Sequence, residues 1–374
     1  MNIEHRKQII KNAKQIVIKV GTRLLTDRSL ISAVIQQIAN LKQNKCRVML
    51  VSSGAVGMGM KTMHLEKRPA RLSSIQALAA IGQCNLMSLY EKECSKYDFH
   101  AAQMLLTTED LRDRNRHLNV LNCINSLWSQ GNLPVINEND SVSIDEIKLG
   151  DNDTLAAMLA IMTRSDLTIL LTTVDGLHSV DNSGKLDQRI PLVQKITEEM
   201  KQSASGTDDA SFSIGGMTTK LNAAEMITSA GEHMLIADGR DRNIIDKIFK
   251  GEDVGTLFLP TADKQMQSKK RWMNFFSKIS GNIIIDDGAV AAITKKGRSL
   301  LPSGIKDFKG DFNRGDTVTI SDTKSNIIAK GLSSFSSDDL RKIAGKKSCD
   351  IRRILGADDN EAVHRNNMLK IIEI

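Results

Sequence analysis

Residues 16–22 read Ile16-Val17-Ile18-Lys19-Val20-Gly21-Thr22. Four β-branched residues surround one lysine, and the run stops at a glycine. Branched apolar side chains favour a strand. Their continuity, rather than alternation with polar residues, is the texture of a strand covered on both faces, as inside a parallel sheet. A lysine near the end of such a strand is expensive to bury unless it meets an anion. Gly21 beside it lets a backbone come close. Lys19 is therefore read either as part of a phosphate clamp or as an edge lysine reaching solvent.

The same apolar texture recurs at 47–51, 100–105, 133–137, 167–172 and 234–237. Helical periodicity fills the intervals at 29–44, 70–95, 110–130, 153–164 and 217–230. Strands alternating with helices predict an α/β fold, here an α/β/α sandwich around a mainly parallel sheet. The composition shifts near Thr261. Residues 261–280 are polar and basic before Trp272, Phe275 and Phe276, and they are read as a linker whose end docks on a neighbour. Beyond Gly281, short β-like runs at 283–286, 289–294, 316–320 and 327–332 are punctuated by glycines, which predicts a smaller β-barrel-like domain. The expected division is a catalytic domain over 1–262, a linker over 263–279 and a second domain over 280–374.

A chain of 374 residues exceeds one ordinary core and suits two domains. No stretch approaches the roughly 20 apolar residues of a membrane helix. The first fourteen residues carry His5, Arg6, Lys7, Lys11 and Lys14 without an apolar core, so no secretory signal is expected and the cytoplasm is the expected address. Cys46, Cys84, Cys94, Cys123 and Cys349 are too scattered for a zinc or redox motif, and no metal-ligand set is expected. The net charge of +7 favours anionic partners but does not choose among nucleotides, acidic metabolites and RNA. Aromatic content of 3% offers few platforms for stacking single-stranded bases.

Four loops follow predicted strands, where ligands bind in open α/β sheets. After Lys19-Val20-Gly21-Thr22 comes Ser52-Ser53-Gly54-Ala55, whose hydroxyls and backbone N–H groups suit an anion, or simply a tight turn. The third holds Asn137-Glu138-Asn139-Asp140, with Gly150-Asp151-Asn152-Asp153 shortly after. Turn and cap chemistry explains part of this density. The remainder suits a grip on a substrate amino group, the orientation of lysines, or water on magnesium. The fourth, Gly215-Gly216-Met217-Thr218-Thr219-Lys220, opens a helix with a lysine set against the helix dipole, which calls for a nearby anion. Paired lysines, glycine loops and an Asp/Asn cluster suit phosphoryl transfer, which depends on positioning and charge stabilisation. A carboxylate acceptor is already ionised and needs no general base.

In order along the chain, VIKVGT at 17–22, SSGAVGMG at 52–59, AAIGQ at 79–83, QMLLT at 103–107, PVINEND at 134–140, KLGDNDTLAA at 148–157 and GGMTTK at 215–220 resemble the glutamate 5-kinases of the amino-acid kinase superfamily. LLPSGI at 300–305, GDFNRGD at 310–316 and AVHRNNM at 362–368 resemble the PUA domain of bacterial members. The resemblance implies an amino-acid kinase fold and ATP-dependent phosphorylation of the γ-carboxylate of L-glutamate, the first step of proline synthesis. It implies Lys19 and Lys220 as the lysines at the phosphates, with Asp153 orienting them. Ser53, Gly54, Asn137, Asp140 and Asn152 fall at the glutamate. The nucleotide falls at Lys19, Gly21, Thr172, Thr173 and Gly215, Gly216, Met217, Thr218, Thr219, Lys220. It implies Mg2+ held mainly through the ATP phosphates, proline as feedback inhibitor, a homo-oligomer (dimer or tetramer), and transient contact with glutamyl phosphate reductase. This chain departs from the family at Thr173, where an aspartate is usual, at Ser213-Ile214 for Gly-Thr, at Ile75 for lysine and at His178 for tyrosine.

Two rivals remain. One is another carboxylate or carbamate kinase of the superfamily, acting on aspartate or acetylglutamate. The other is an RNA-binding protein working through the PUA domain. Its basic residues, such as Lys295, Lys296, Arg352 and Arg353, are interleaved with Asp286, Asp287, Asp358 and Asp359. RNA is therefore not the expected partner, nor is a membrane.

Overall fold

Strand β1 (Gln15–Val20) lies at the centre of a sheet whose other strands come from points far along the chain. The computed structural model describes residues 3–142, 152–180, 186–205, 216–261, 268–346, 348–356 and 360–371. It divides into two units, Met1–Gln265 and Met266–Ile374. In the first, β2 (Arg47–Ser52), β3 (Ala101–Leu106), β4 (Leu133–Glu138) and β5 (Leu167–Thr172) pair in parallel with β1 or with one another. A hairpin, β6 (His178–Val180) and β7 (Leu186–Arg189), stands apart from that sheet. The two-residue β8 (Leu192–Val193), β9 (His233–Asp238) and β10 (Thr256–Phe258) complete it in the order β3-β4-β2-β1-β5-β9-β10-β8. Only β10 meets its neighbour β9 antiparallel, so the sheet is mainly parallel.

The apolar strands are covered on both faces. Helices α1 (Ile3–Asn12), α2 (Arg28–Gln43), α3 (Ala55–Thr62) and α4 (Leu72–Cys94) follow in chain order. The cluster formed by Ile16, Ile18, Leu50, Ile169 and Leu235 packs with Ile35 and Ile38 of α2 and Leu86 and Tyr90 of α4. The alternate residues Val17, Met49, Val51, Ile136, Leu170 and Ile236 are equally buried on the other face. Helices α5 (Thr108–Arg112) and α6 (Arg114–Ser129) precede β4, and α7 (Asn152–Thr163) follows it. α7 packs on β1, β2, β4 and β5. Then come α8 (Glu198–Ser205), α9 (Met217–Ser229), which packs on α7 and β9, and α10 (Ile244–Lys250), which joins the first face. α7 is apolar nearly all round, with ten of its twelve residues buried, as a helix inside a sandwich must be.

The second unit holds α11 (Ser268–Phe275), β11 (Ile279–Ile285), α12 (Asp287–Thr294), β12 (Ile305–Lys309), β13 (Thr317–Ser321), β14 (Ile327–Leu332), α13 (Ser337–Ile343), α14 (Ser348–Leu355) and β15 (Met368–Lys370). Its strands form one sheet, β12-β11-β13-β14-β15, over a core that includes Ile283, Ile320, Ala329 and Val363. Residues 289–294, read as β-like from the sequence, are helical. The Asp286 carboxylate accepts the Ala289 N–H at 2.7 Å and caps α12. That cap and the Ala291-Ala292 pair outweigh the β-branched Val290, Ile293 and Thr294.

Candidate active site

Lys19 and Lys220 are 201 positions apart in sequence, yet both ammoniums meet the carboxylate of Asp153. Lys19 reaches from β1, Lys220 from the first turns of α9, and Asp153 from the first turn of α7. The Lys19 Nζ lies 2.5 Å from Asp153 Oδ1 and the Lys220 Nζ lies 3.1 Å from Oδ2. The Thr219 hydroxyl donates to Oδ2 at 3.3 Å, and Lys220 also donates to the Gly216 carbonyl at 3.3 Å. Asp153 is 0% exposed, Lys19 5% and Lys220 6%. Among the described residues, two ammoniums facing one carboxylate leave a surplus positive charge in a nearly dry site. Such a surplus is costly unless an anion arrives.

These groups stand at the C-terminal ends of the parallel strands, around a cleft of about 2010 Å³. That is larger than the ~300–1,000 Å³ of a single-ligand pocket and leaves room for two substrates side by side. Lys19, Gly21, Ser53, Gly54, Asn137, Asp140, Asn152, Thr172, Thr173, Gly216, Met217, Thr219 and Lys220 all line it. Asp153 lies beneath the lysines, and Thr218, although in the same turn of α9, does not line the cleft. Gly215, Gly150, Asp151 and the Ser213-Ile214 departure fall outside the described residues.

One end of the cleft is built largely from neutral amides, with the Asp140 carboxylate beside them. Gly54 caps α3 at φ +89°, a left-handed conformation that side chains with a Cβ rarely adopt, and it turns Ser53 toward α7. The Asn152 Nδ2 faces three acceptors: the Ser52 carbonyl at 3.1 Å, Ser53 Oγ at 2.9 Å and Asn137 Oδ1 at 3.1 Å. Its Oδ1 is buried and has no hydrogen-bond partner among the described residues. Asn137, 1% exposed, accepts the Glu138 N–H at its Oδ1 and donates through Nδ2 to Gln83 Oε1, both at 2.9 Å.

The other end lies beyond β5 and β9, where Thr172 registers with Asp238. Arg240 grips Asp238 with two guanidinium nitrogens, Nε at 2.9 Å and Nη2 at 2.6 Å. Burial opposes ionisation of Asp238, but these hydrogen bonds outweigh it and hold the carboxyl below its ordinary value. His178, in β6, lies between Asp175 and the Asp187 carbonyl. Sequence reasoning singled out neither Arg240 nor Gln83 for the site, and neither belongs to a loop pattern that would have announced it. His178 was noted only as a departure.

Residues 14–238 match the amino acid kinase family and residues 281–355 match the PUA domain. The chain therefore belongs to the amino acid kinase family, with a PUA domain in its second unit. Among its relatives, glutamate 5-kinase of Thermoanaerobacter sp. (strain X514) is 42% identical over 363 residues, covering 95% of this chain and 97% of that protein. Glutamate 5-kinase of Carboxydothermus hydrogenoformans is 40% identical over 374 residues, covering 98% and 100%. That of Geobacter sulfurreducens is 39% identical over 372 residues, covering 97% and 99%. Within the amino acid kinases, this is a member of the glutamate 5-kinase family. Among the described residues, no helix is long and apolar enough to cross a membrane.

Proposed function

We propose that this chain transfers the γ-phosphoryl group of ATP to the γ-carboxylate of L-glutamate, giving L-glutamyl 5-phosphate at the entry to proline biosynthesis. The observation that carries the proposal is the single buried carboxylate of Asp153 holding two lysine ammoniums at the floor of a two-substrate cleft. The glutamate carboxylate oxygen forms a bond to the γ-phosphorus as the bond to the β,γ-bridging oxygen breaks, and ADP leaves with that electron pair. No proton has to move, because the attacking carboxylate is already ionised. Charge shifts from the γ-phosphoryl oxygens toward the bridging oxygen. Lys220 and Lys19 neutralise it, and Asp153 keeps both amines in place.

The nucleotide lies along Gly21, Thr172, Thr173 and the 215–220 turn. Glutamate lies at the amide end, against Ser53, Gly54, Asn137, Asp140 and Asn152. The unpartnered Asn152 Oδ1 and the Asp140 carboxylate suit its α-ammonium. Both Asp153 oxygens are engaged by lysines, so the residues present fit Mg2+ carried on the nucleotide phosphates, where it would screen their charge. All these side chains belong to residues 1–262, to which we assign catalysis, with 263–279 as linker and 280–374 as the PUA domain. Proline acting as a feedback inhibitor at the glutamate end, a homo-oligomeric and cytoplasmic enzyme, and passage of the product to glutamyl phosphate reductase complete the reading.

Trapping the acyl phosphate with hydroxylamine tests it. Hydroxamate should form with glutamate and ATP, and not with aspartate or acetylglutamate. Activity on aspartate without activity on glutamate overturns the assignment.

A further inference from the structure

We infer that Gln83 is a positioning residue for the acceptor substrate: its side-chain oxygen anchors the buried Asn137, whose Oδ1 in turn holds Asn152 at the cleft. This rests on the glutamate reading of the amide end. Gln83 does not line the cleft and is 7% exposed, inside the α3–α4 crossing. It lies there because α4 approaches α3 at glycine-to-backbone distance. A Cβ on Gly82 would sit 1.8 Å from the Ala55 carbonyl oxygen, and one on Gly59 would sit 2.0 Å from the Leu78 oxygen.

Hydrogen-bond polarity runs one way along the chain of amides. The Glu138 N–H can only donate, so the atom of Asn137 that meets it at 2.9 Å is Oδ1. The opposite atom, Nδ2, must then donate, and Gln83 Oε1 receives it at 2.9 Å. With Oδ1 so fixed, Asn152 presents Nδ2 to Asn137 and to the Ser52 carbonyl. Its Oδ1 is left as a buried acceptor with no partner among the described residues, the polarity an ammonium requires. Gln83 Nε2 has no hydrogen-bond partner among the described residues. The residue's contribution to the site is therefore its oxygen. Turning the amide round would set two donors against each other.

Removing that oxygen orphans the buried Asn137 Nδ2 and loosens Asn152, while the Lys19–Asp153–Lys220 contacts stay in place. Gln83→Met should raise the KM for glutamate about tenfold, the scale of one unmade hydrogen bond to a buried amide. The KM for ATP and kcat should stay within about twofold. Gln83→Glu, which keeps an oxygen facing Asn137, should recover most of the lost affinity. Thermal unfolding of both variants accompanies the kinetics. Equal losses for both substrates, a fall confined to thermal stability, or a glutamate KM unchanged in Gln83→Met overturns the inference. Failure of the functional reading appears separately, as wild-type protein that makes no acyl phosphate from glutamate. The same comparison is then run on the amino acid that the wild type does phosphorylate, and the same split in KM supports the role of Gln83.

Discussion

The floor and the acceptor end of the reactive cleft solve different problems with different chemistry. At the floor, Lys19, Asp153 and Lys220 bury three full charges within 3.1 Å contacts. At the acceptor end, Ser53, Asn152, Asn137 and Gln83 bury a comparable number of polar groups with no formal charge among them. Buried ions carry a heavy desolvation cost and are justified where charge develops during a reaction, because a fixed ammonium then stabilises the transition state more than the ground state. The α-ammonium and α-carboxylate of the acceptor do not change charge during turnover, and oriented amide dipoles recognise them at a lower cost of burial. The contrast predicts that mutations at the floor act on kcat and those at the amide end act on KM.

The hardest blow to that contrast is Asp153→Asn. It leaves two buried ammoniums facing each other without their anion, and unpairing a buried charge costs about 3–5 kcal/mol. A large fall in thermal midpoint is expected, with a large part recovered by an ATP analogue with Mg2+, whose phosphates replace the missing negative charge. A midpoint that does not respond to nucleotide would break the link between the trio and the phosphates. Lys220→Ala and Lys19→Ala come next. Each removes one preorganised donor, worth about 3–4 kcal/mol of barrier, and kcat should drop by roughly 10²–10³ with the glutamate KM little changed. A variant within a few-fold of wild type in steady-state kinetics removes that lysine from the mechanism.

The floor was far more legible in the sequence than the amide end. A lysine at the end of an apolar strand and another in the opening turns of a helix are each locally expensive, and the expense announces a partner. The sheet was legible for the same reason. The run at 167–172 is the strand Leu167–Thr172, and the other central strands shift by a residue or so at their ends. Gln83 gave no such signal. Glutamine is a good helix former in an Ala- and Leu-rich helix, and Gln83 enters only as the last residue of the AAIGQ motif at 79–83, with no role attached. Its importance depends on the depth of the α3–α4 crossing, which only the folded chain reveals. The β6–β7 hairpin and the short β8 and β10 were likewise missed, since two to four residues carry too little periodicity to read.

Gly82→Ala sharpens the comparison at smaller cost. Its new Cβ would collide with the Ala55 oxygen and with the Gly59 nitrogen at 2.4 Å, so α3 must shift. Overpacking of this kind costs about 1–3 kcal/mol. α3 follows directly on the Ser53-Gly54 turn, whereas Lys19 and Lys220 are held elsewhere. The glutamate KM should therefore move more than the ATP KM. Equal movement of both would mean that the two ends are mechanically one.

The smallest effect concerns the nucleotide end and separates a fixed charge from a titrating one. His178 Nδ1 lies 3.0 Å from the Asp187 carbonyl oxygen and Nε2 lies 2.7 Å from Asp175 Oδ1. Neither acceptor has a proton to give, so both contacts are hydrogen bonds only when the ring carries two protons. The bond to Asp175, and then that to the Asp187 carbonyl, raise the pKa above the ordinary histidine value, while burial and Arg189 oppose the shift. A folded-state pKa raised above the unfolded one contributes stability that is complete below about pH 6.5 and disappears as pH climbs through the raised value. Asp175 is largely exposed, so the pair is worth little. Protonated His178 ties β6 and β7 to the loop after Thr173, which lines the nucleotide end. The ATP KM of the wild type, divided by that of His178→Gln, should therefore rise about twofold between pH 6.5 and 8.5. A ratio that stays flat across that window would mean that the clip holds without its charge, and that the ion pairs bearing on nucleotide affinity lie elsewhere in the cleft.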